Sequence, residues 1–92
     1  MAEGLVCAQV AVLAPVRRVF DYLPPPGGFA RDPRGCRVRV PFGRGERLGI
    51  VLELGASTQD AALLKPVSEL LDDEALLDPA LVALARWAAT SY

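Results

Sequence analysis

The stretch CRVRVPFGRGERLGIVLEL, residues 36–54, decides how the rest of the chain is read. Arg37 and Arg39 alternate with Val38 and Val40. Pro41-Phe42-Gly43-Arg44-Gly45 then interrupts, and an alternating pattern resumes from Arg47 to Leu54. Side chains on a strand point to opposite faces in turn, so this pattern predicts a β-hairpin with one apolar face, one basic face and a glycine-rich corner. Gly49, between Leu48 and Ile50 in mid-strand, predicts a bulge or a close backbone approach.

Working outward, Leu5 to Leu13 is rich in Val and Ala without a helix-start signal, which suits a mostly buried first strand stopped by Ala14-Pro15. A second strand is predicted over 19–23, with Val19, Asp21 and Leu23 on one face and Phe20 and Tyr22 on the other. Asp21 is therefore a carboxylate facing partly inward. The run Pro24-Pro25-Pro26-Gly27-Gly28, with Asp32-Pro33-Arg34-Gly35, makes a long loop before the hairpin. Ala56 to Ala62 is a second loop. From Leu63 to Leu71, Pro66 argues against both a helix interior and a central strand, leaving an edge strand. Asp72-Asp73-Glu74 reads as solvated acidic surface.

Asp78-Pro79 is a helix start, with a carboxylate at the N-cap and proline at the first helical position. Leu81, Leu84 and Ala88, with Leu77 before and Tyr92 after, give a helical stripe. The pattern runs to Tyr92 without a C-cap, so the sequence reads as an N-terminal piece of a longer chain. The fold class expected is mainly β (α+β), a small twisted sheet or part-open barrel of about five or six strands with a C-terminal helix. A single domain over 1–92 is expected, with a β part over 1–71 and the start of a helical part over 78–92.

With 92 residues, 52% of them apolar, one core is possible, although so small a chain buries only about 60 to 65% of its unfolded surface. The net charge of −1 conceals a split. From Arg17 to Arg47 there are eight Arg against three acids, a balance of +5, whereas Glu53 to Asp78 holds seven acids and one Lys, a balance of −6. Such segregation can mark an anion-binding surface or can simply solubilise. Cys7 and Cys36 lack C-x-x-C spacing and there is no His, so a zinc site is not expected within these residues. The apolar run Leu5 to Val16 lacks a basic flank and is too short to span a bilayer, so a cytoplasmic location without membrane contact is expected.

No His is available as a base, Ser57, Ser68 and Ser91 lie outside any nucleophile motif, and no phosphate-binding glycine motif is present. Binding rather than catalysis is expected. Gly43 and Gly45 expose backbone N–H groups, and Arg37, Arg39, Arg44 and Arg47 carry guanidinium forks suited to phosphate oxygens; equally, they could be solvated side chains around a turn. Phe20, Tyr22 and Phe42 could stack on bases or belong to the core. Asp21 could accept hydrogen bonds from a base edge or pair with an Arg.

These residues also compose a set of family motifs. V-x-V-x-x-P-V-x-R-x-F-D-Y at Val10 to Tyr22, G-C-R-V-R-V-P-F-G at Gly35 to Gly43, R-x-G-I-V at Arg47 to Val51, L-K-P-V at Leu64 to Val67 and L-x-x-W-A-A-x-x-Y at Leu84 to Tyr92 together resemble the N-terminal domain of the PriA family, the bacterial replication-restart helicases. The resemblance implies recognition of the 3′ end of the leading strand at an arrested replication fork, in a 3′-terminal nucleotide pocket using Phe20, Asp21, Gly43 and Lys65. With DNA as the partner, Arg37, Arg39, Arg44 and Arg47, read above from their own chemistry, are expected to contact its backbone. The expected partners are DNA, the remaining helicase domains of the same chain, and primosome and single-strand-binding proteins. No cofactor is expected in these residues, because the family's ATP and zinc sites would lie beyond Tyr92. The Pro24 to Pro26 run and the Arg31 to Arg34 segment depart from the family pattern, the turn Gly43-Arg44-Gly45-Glu46 is compact, and Pro66 after Lys65 could redirect that side chain. Two other readings remain open: a protein-interaction module docking by its edge strand and helix, and a small barrel that binds structured RNA.

Overall fold

The computed structural model describes residues 6–13, 18–57 and 59–90. The expected stop at Ala14-Pro15 and the contribution of Tyr92 to the helical stripe lie outside these residues. Five strands, β1 (Val6–Val12), β2 (Arg18–Tyr22), β3 (Arg37–Phe42), β4 (Gly45–Ala56) and β5 (Glu69–Leu70), precede one helix, α1 (Pro79–Thr90). The strands form one antiparallel sheet in the order β2-β1-β4-β3-β5, the mainly β architecture expected from the alternation. Among the described residues no helix is long and apolar enough to cross a membrane.

The hairpin forms as its pattern requires. Phe42 pairs with Gly45, leaving Gly43 and Arg44 as the two turn residues. Gly43 has φ +61° and Arg44 does not have a positive φ, the arrangement of a type II′ turn with glycine first. Val38 and Val40 are fully buried while Arg37 and Arg39 face the other way. Gly49 is a close approach: a Cβ there would run into Val10 Cγ1 and lie 3.1 Å from the Ala11 carbonyl. The bulge sits nearby, where Gln9 pairs with Glu53 but Val10 with Val51, leaving Leu52 as the extra residue.

One sheet face carries the main core. Ala8, Val10, Val12, Tyr22, Val38, Val40, Val51 and Val67 are buried there, flanked by Phe20, Phe42 and Leu54. On the other face, Ala11 and Leu52 are covered by α1 through Val82 and Ala85. The expected helical stripe is therefore corrected. Leu81 and Leu84 are 45% and 58% exposed, and the packed residues are the next ones round, Val82 and Ala85. Their small side chains let the helix lie close on a sheet surface that is itself built from Ala11 and Leu52. The helix start holds as expected, with Asp78 Oδ1 accepting the Leu81 N–H at 2.9 Å.

The segment after the second loop is a shorter strand than its apolar content suggests. A single 3₁₀ turn at Ala61–Leu63 precedes it, and only Glu69 and Leu70 join the ladder with β3. Pro66 instead forms a parallel bridge with Leu23. Leu23 N–H donates to the Lys65 carbonyl at 2.9 Å and Val67 N–H donates to the Leu23 carbonyl at 2.8 Å. The neighbours of Pro66 make both bonds, so the N–H that proline lacks is not needed. This bridge brings the two ends of the sheet together into a part-closed barrel.

The acidic loop also needs correction. Asp73 and Glu74 are exposed, but Asp72 is only 7% exposed. Its Oδ2 accepts the Arg37 amide N–H at 2.7 Å and its Oδ1 accepts from Arg37 Nη2 at 2.9 Å. A buried carboxylate must be paired, and a neighbouring strand residue offering both a backbone and a guanidinium donor supplies that pairing.

Two outcomes follow from this packing. Gly49→Ala should destabilise the fold by about 1 to 3 kcal/mol, read as a lower denaturant midpoint with an unchanged slope. The hydrogen bonds from Arg37 hold the Asp72 carboxyl below the usual carboxylate range. Its stabilisation is then complete above the unfolded-state value and is lost as pH falls through the folded one. Melting curves taken from about pH 7 to about pH 2.5 should show a shallower acid decline for Asp72→Asn, which starts less stable at neutral pH, than for the unaltered protein.

Candidate functional site

A cavity of about 300 Å³ lies at the seam where the sheet closes. Its walls come from four places far apart in the sequence: Val19 to Tyr22 of β2, Pro41 to Gly43 at the β3 end of the hairpin, Gln59 of the second loop, and Leu63 to Lys65 before the parallel bridge. Phe20, Asp21, Gly43 and Lys65 are all in that lining. Pro66 does not turn Lys65 away from it.

Each wall has a local cause. β2 lies antiparallel to β1 with Phe20 opposite Val10 and Asp21 opposite Gln9, so the two residues leave the strand on opposite faces, as the alternation predicts. Phe20 meets Phe42 edge to face, with ring centroids 5.5 Å apart and an interplanar angle of 69°. Both rings flank the core. Tyr22 is buried, and its hydroxyl donates to the Pro41 carbonyl at 2.8 Å, tying β2 to β3 across the mouth of the barrel. Burial raises the Tyr22 phenol pKa, in keeping with a hydroxyl that remains a neutral donor. Its role is core and strut rather than base stacking.

Asp21 is half-buried and pairs with no Arg among the described residues. Its Oδ2 accepts the Ser57 hydroxyl proton at 2.7 Å, and Ser57 Oγ in turn accepts the Gln59 N–H at 3.0 Å. Oδ1 has no partner among the described residues. Gly43 is exposed, with nothing within 4 Å of where a Cβ would lie, so the turn backbone is open to close approach. Lys65 is exposed and in no ion pair among the described residues.

The four hairpin arginines do not form one basic face. Arg37 and Arg39 lie opposite Ile50 and Leu48, whereas Arg47 lies opposite Val40 and so leaves the other side of the hairpin. Two of them are also occupied. Arg37 holds Asp72, and Arg39 pairs with Glu69 while its Nε lies 3.8 Å from Glu46. Outside the hairpin, Arg34 bonds Asp32 at 2.7 Å and reaches Glu53 at 3.4 Å, and Arg31 lies 3.8 Å from Asp73. Segments of opposite charge in the sequence are thus interleaved in space. Arg47 donates to the carbonyl of Glu46, and Arg44 makes no hydrogen bond or ion pair among the described residues. Among the described residues, Lys65 in the cavity lining has no carboxylate partner, and neither have Arg18 beside Val19, Arg44 beside Gly43, or Arg47.

Ser57 and Gln59 were not singled out from the sequence. They lie in a loop without a motif, and only the fold places them beside Asp21. Cys36, fully buried at the base of the hairpin, has its thiol pKa raised by burial, as suits an inert core residue. In comparison with known families, the model described as the PriA 3′DNA-binding domain (3′BD) matches residues 9–92.

Proposed function

Because the chain belongs to the PriA 3′DNA-binding domain family, we propose that the cavity at the barrel seam receives the 3′-terminal nucleotide of a DNA strand. The observation that carries this reading is the convergence of Phe20, Asp21, Gly43 and Lys65, from three separated segments, on one cavity of about 300 Å³. That volume is at the lower end for ligand sites. It is of the size of a single nucleotide.

The roles follow from the chemistry of each group. Asp21, with Oδ1 open, accepts from a donor on the base edge. Every base offers such a donor, so the contact tolerates all four without reading sequence. Phe20, braced by Phe42, gives the base an apolar wall. The bare Gly43 backbone admits the ribose with its 3′-hydroxyl. Lys65 supplies positive charge to the last phosphate, and Arg44 and Arg47 attract the backbone leading to it. Arg37 and Arg39, held by carboxylates, contribute mainly to the fold.

The wider reading is a domain that binds and does not transform, capturing the nascent leading strand at stalled forks within a cytoplasmic helicase that restarts replication and assembles the primosome. In α1, Leu81, Leu84 and Trp87 are exposed, and this apolar outer stripe is the surface suited to contact with the other domains of that helicase or with primosome and single-strand-binding proteins. ATP and zinc would act in those other parts.

Fluorescence anisotropy with forks differing only in a free or a phosphorylated 3′ end tests the central point. The free end should bind at least about tenfold more tightly, a difference of roughly 1.4 kcal/mol; equal affinities would sink the proposal. Asp21→Ala should weaken binding to the free end while the melting curve stays cooperative. Arg44→Ala should reduce the slope of log affinity against log salt by about one, whereas Arg39→Ala should leave that slope nearly unchanged.

A further inference from the structure

We propose that Gln59 is a further base-contacting residue of this site, held in place by the Ser57–Asp21 hydrogen bond; the inference rests on the cavity receiving the terminal nucleotide. An ionised carboxylate only accepts hydrogen bonds, so Asp21 can serve a base's donor but not the acceptor beside it. Adenine and cytosine each place a ring nitrogen acceptor next to the amino donor. Guanine and thymine place a carbonyl next to the ring N–H. With Asp21 accepting from the donor of whichever base is present, the neighbouring atom is an acceptor in all four, so a site that holds the edge of any base needs a second group that donates. A carboxamide N–H does so.

Gln59 is the carboxamide in the cavity lining, and its side chain makes no hydrogen bond among the described residues. Its position is fixed through one hydroxyl. Ser57 Oγ gives its proton to Asp21 Oδ2 at 2.7 Å and accepts the Gln59 backbone N–H at 3.0 Å. The same bond leaves Asp21 Oδ1 open. One serine thus couples the orientation of the carboxylate to the placement of the Gln59 backbone, setting an acceptor and a residue that carries a carboxamide donor on the wall of one small space. Ser57 is a positioning residue; Gln59 touches the base.

The experiment is fork binding by fluorescence anisotropy, using 3′ ends that carry each of the four bases and an end whose last residue is abasic. Gln59→Ala should lower affinity for all four base-bearing ends by about three- to tenfold and leave the abasic end unchanged. Ser57→Ala should give part of the same loss with a cooperative melt retained, and Ser57→Thr should restore binding. A loss equal on abasic and base-bearing ends, or no loss at all, overturns the role of Gln59. Asp21→Ala measured in parallel separates the two ideas. If it weakens binding while Gln59→Ala does not, only the Gln59 contact fails; if neither matters, the cavity reading itself fails.

Discussion

The parallel bridge between Leu23 and Pro66 is the constraint on which the rest of this structure depends. An open five-stranded sheet would leave β2 and β5 at opposite edges. Two backbone hydrogen bonds flanking a proline bring them together, and the Tyr22 hydroxyl, reaching the Pro41 carbonyl, adds a third tie across the mouth. Because the bonds come from Lys65 and Val67 rather than Pro66, a residue that would weaken a central strand ends a sheet here without cost to the ladder. The seam also generates the cavity. It sets the F-D-Y strand, the tip of the hairpin and the lysine segment around one space, none of which neighbours another in the chain.

Charge follows the same logic. The arginine-rich first half and the acidic second half would attract each other in any compact arrangement, and the fold resolves that attraction into specific pairs. Arg37 with Asp72 is the strongest by geometry, since the carboxylate is buried and receives both an amide and a guanidinium. Exposed pairs such as Arg39 with Glu69 contribute little to stability, but they change what the surface offers a polyanion. Among the described residues, Arg18, Arg44, Arg47 and Lys65 are left without a carboxylate.

Inside the cavity, some polar groups hold the walls together and others are left without a partner among the described residues. Asp21 commits one oxygen to Ser57 and keeps the other, and Ser57 commits its proton and a lone pair to hold two wall elements together. A carboxylate so anchored is presented in one orientation, which lowers the ordering cost of binding. Gly43 contributes by what it lacks, since the left-handed turn residue offers its backbone without a side chain in the way.

The sequence by itself determined the local elements: the alternation over residues 36–54 gives the hairpin and its buried valines, Gly43 the turn, Asp78-Pro79 the helix start, and the F-D-Y alternation the opposed directions of Phe20 and Asp21. These are legible because each depends on residues close in the chain, through the period of a strand or the geometry of a cap. The family motifs, which carry long-range information in compressed form, pointed to four of the residues that line the cavity, Phe20, Asp21, Gly43 and Lys65. Only the tertiary structure decided which arginines are occupied, that Asp72 is buried while its neighbours are not, and that α1 packs on Val82 and Ala85 instead of Leu81 and Leu84. It alone placed Ser57 and Gln59 against Asp21. Most of these depend on a partner about 19 to more than 70 residues away, and no local pattern of charge or hydropathy encodes which partner a side chain will meet once the chain has folded.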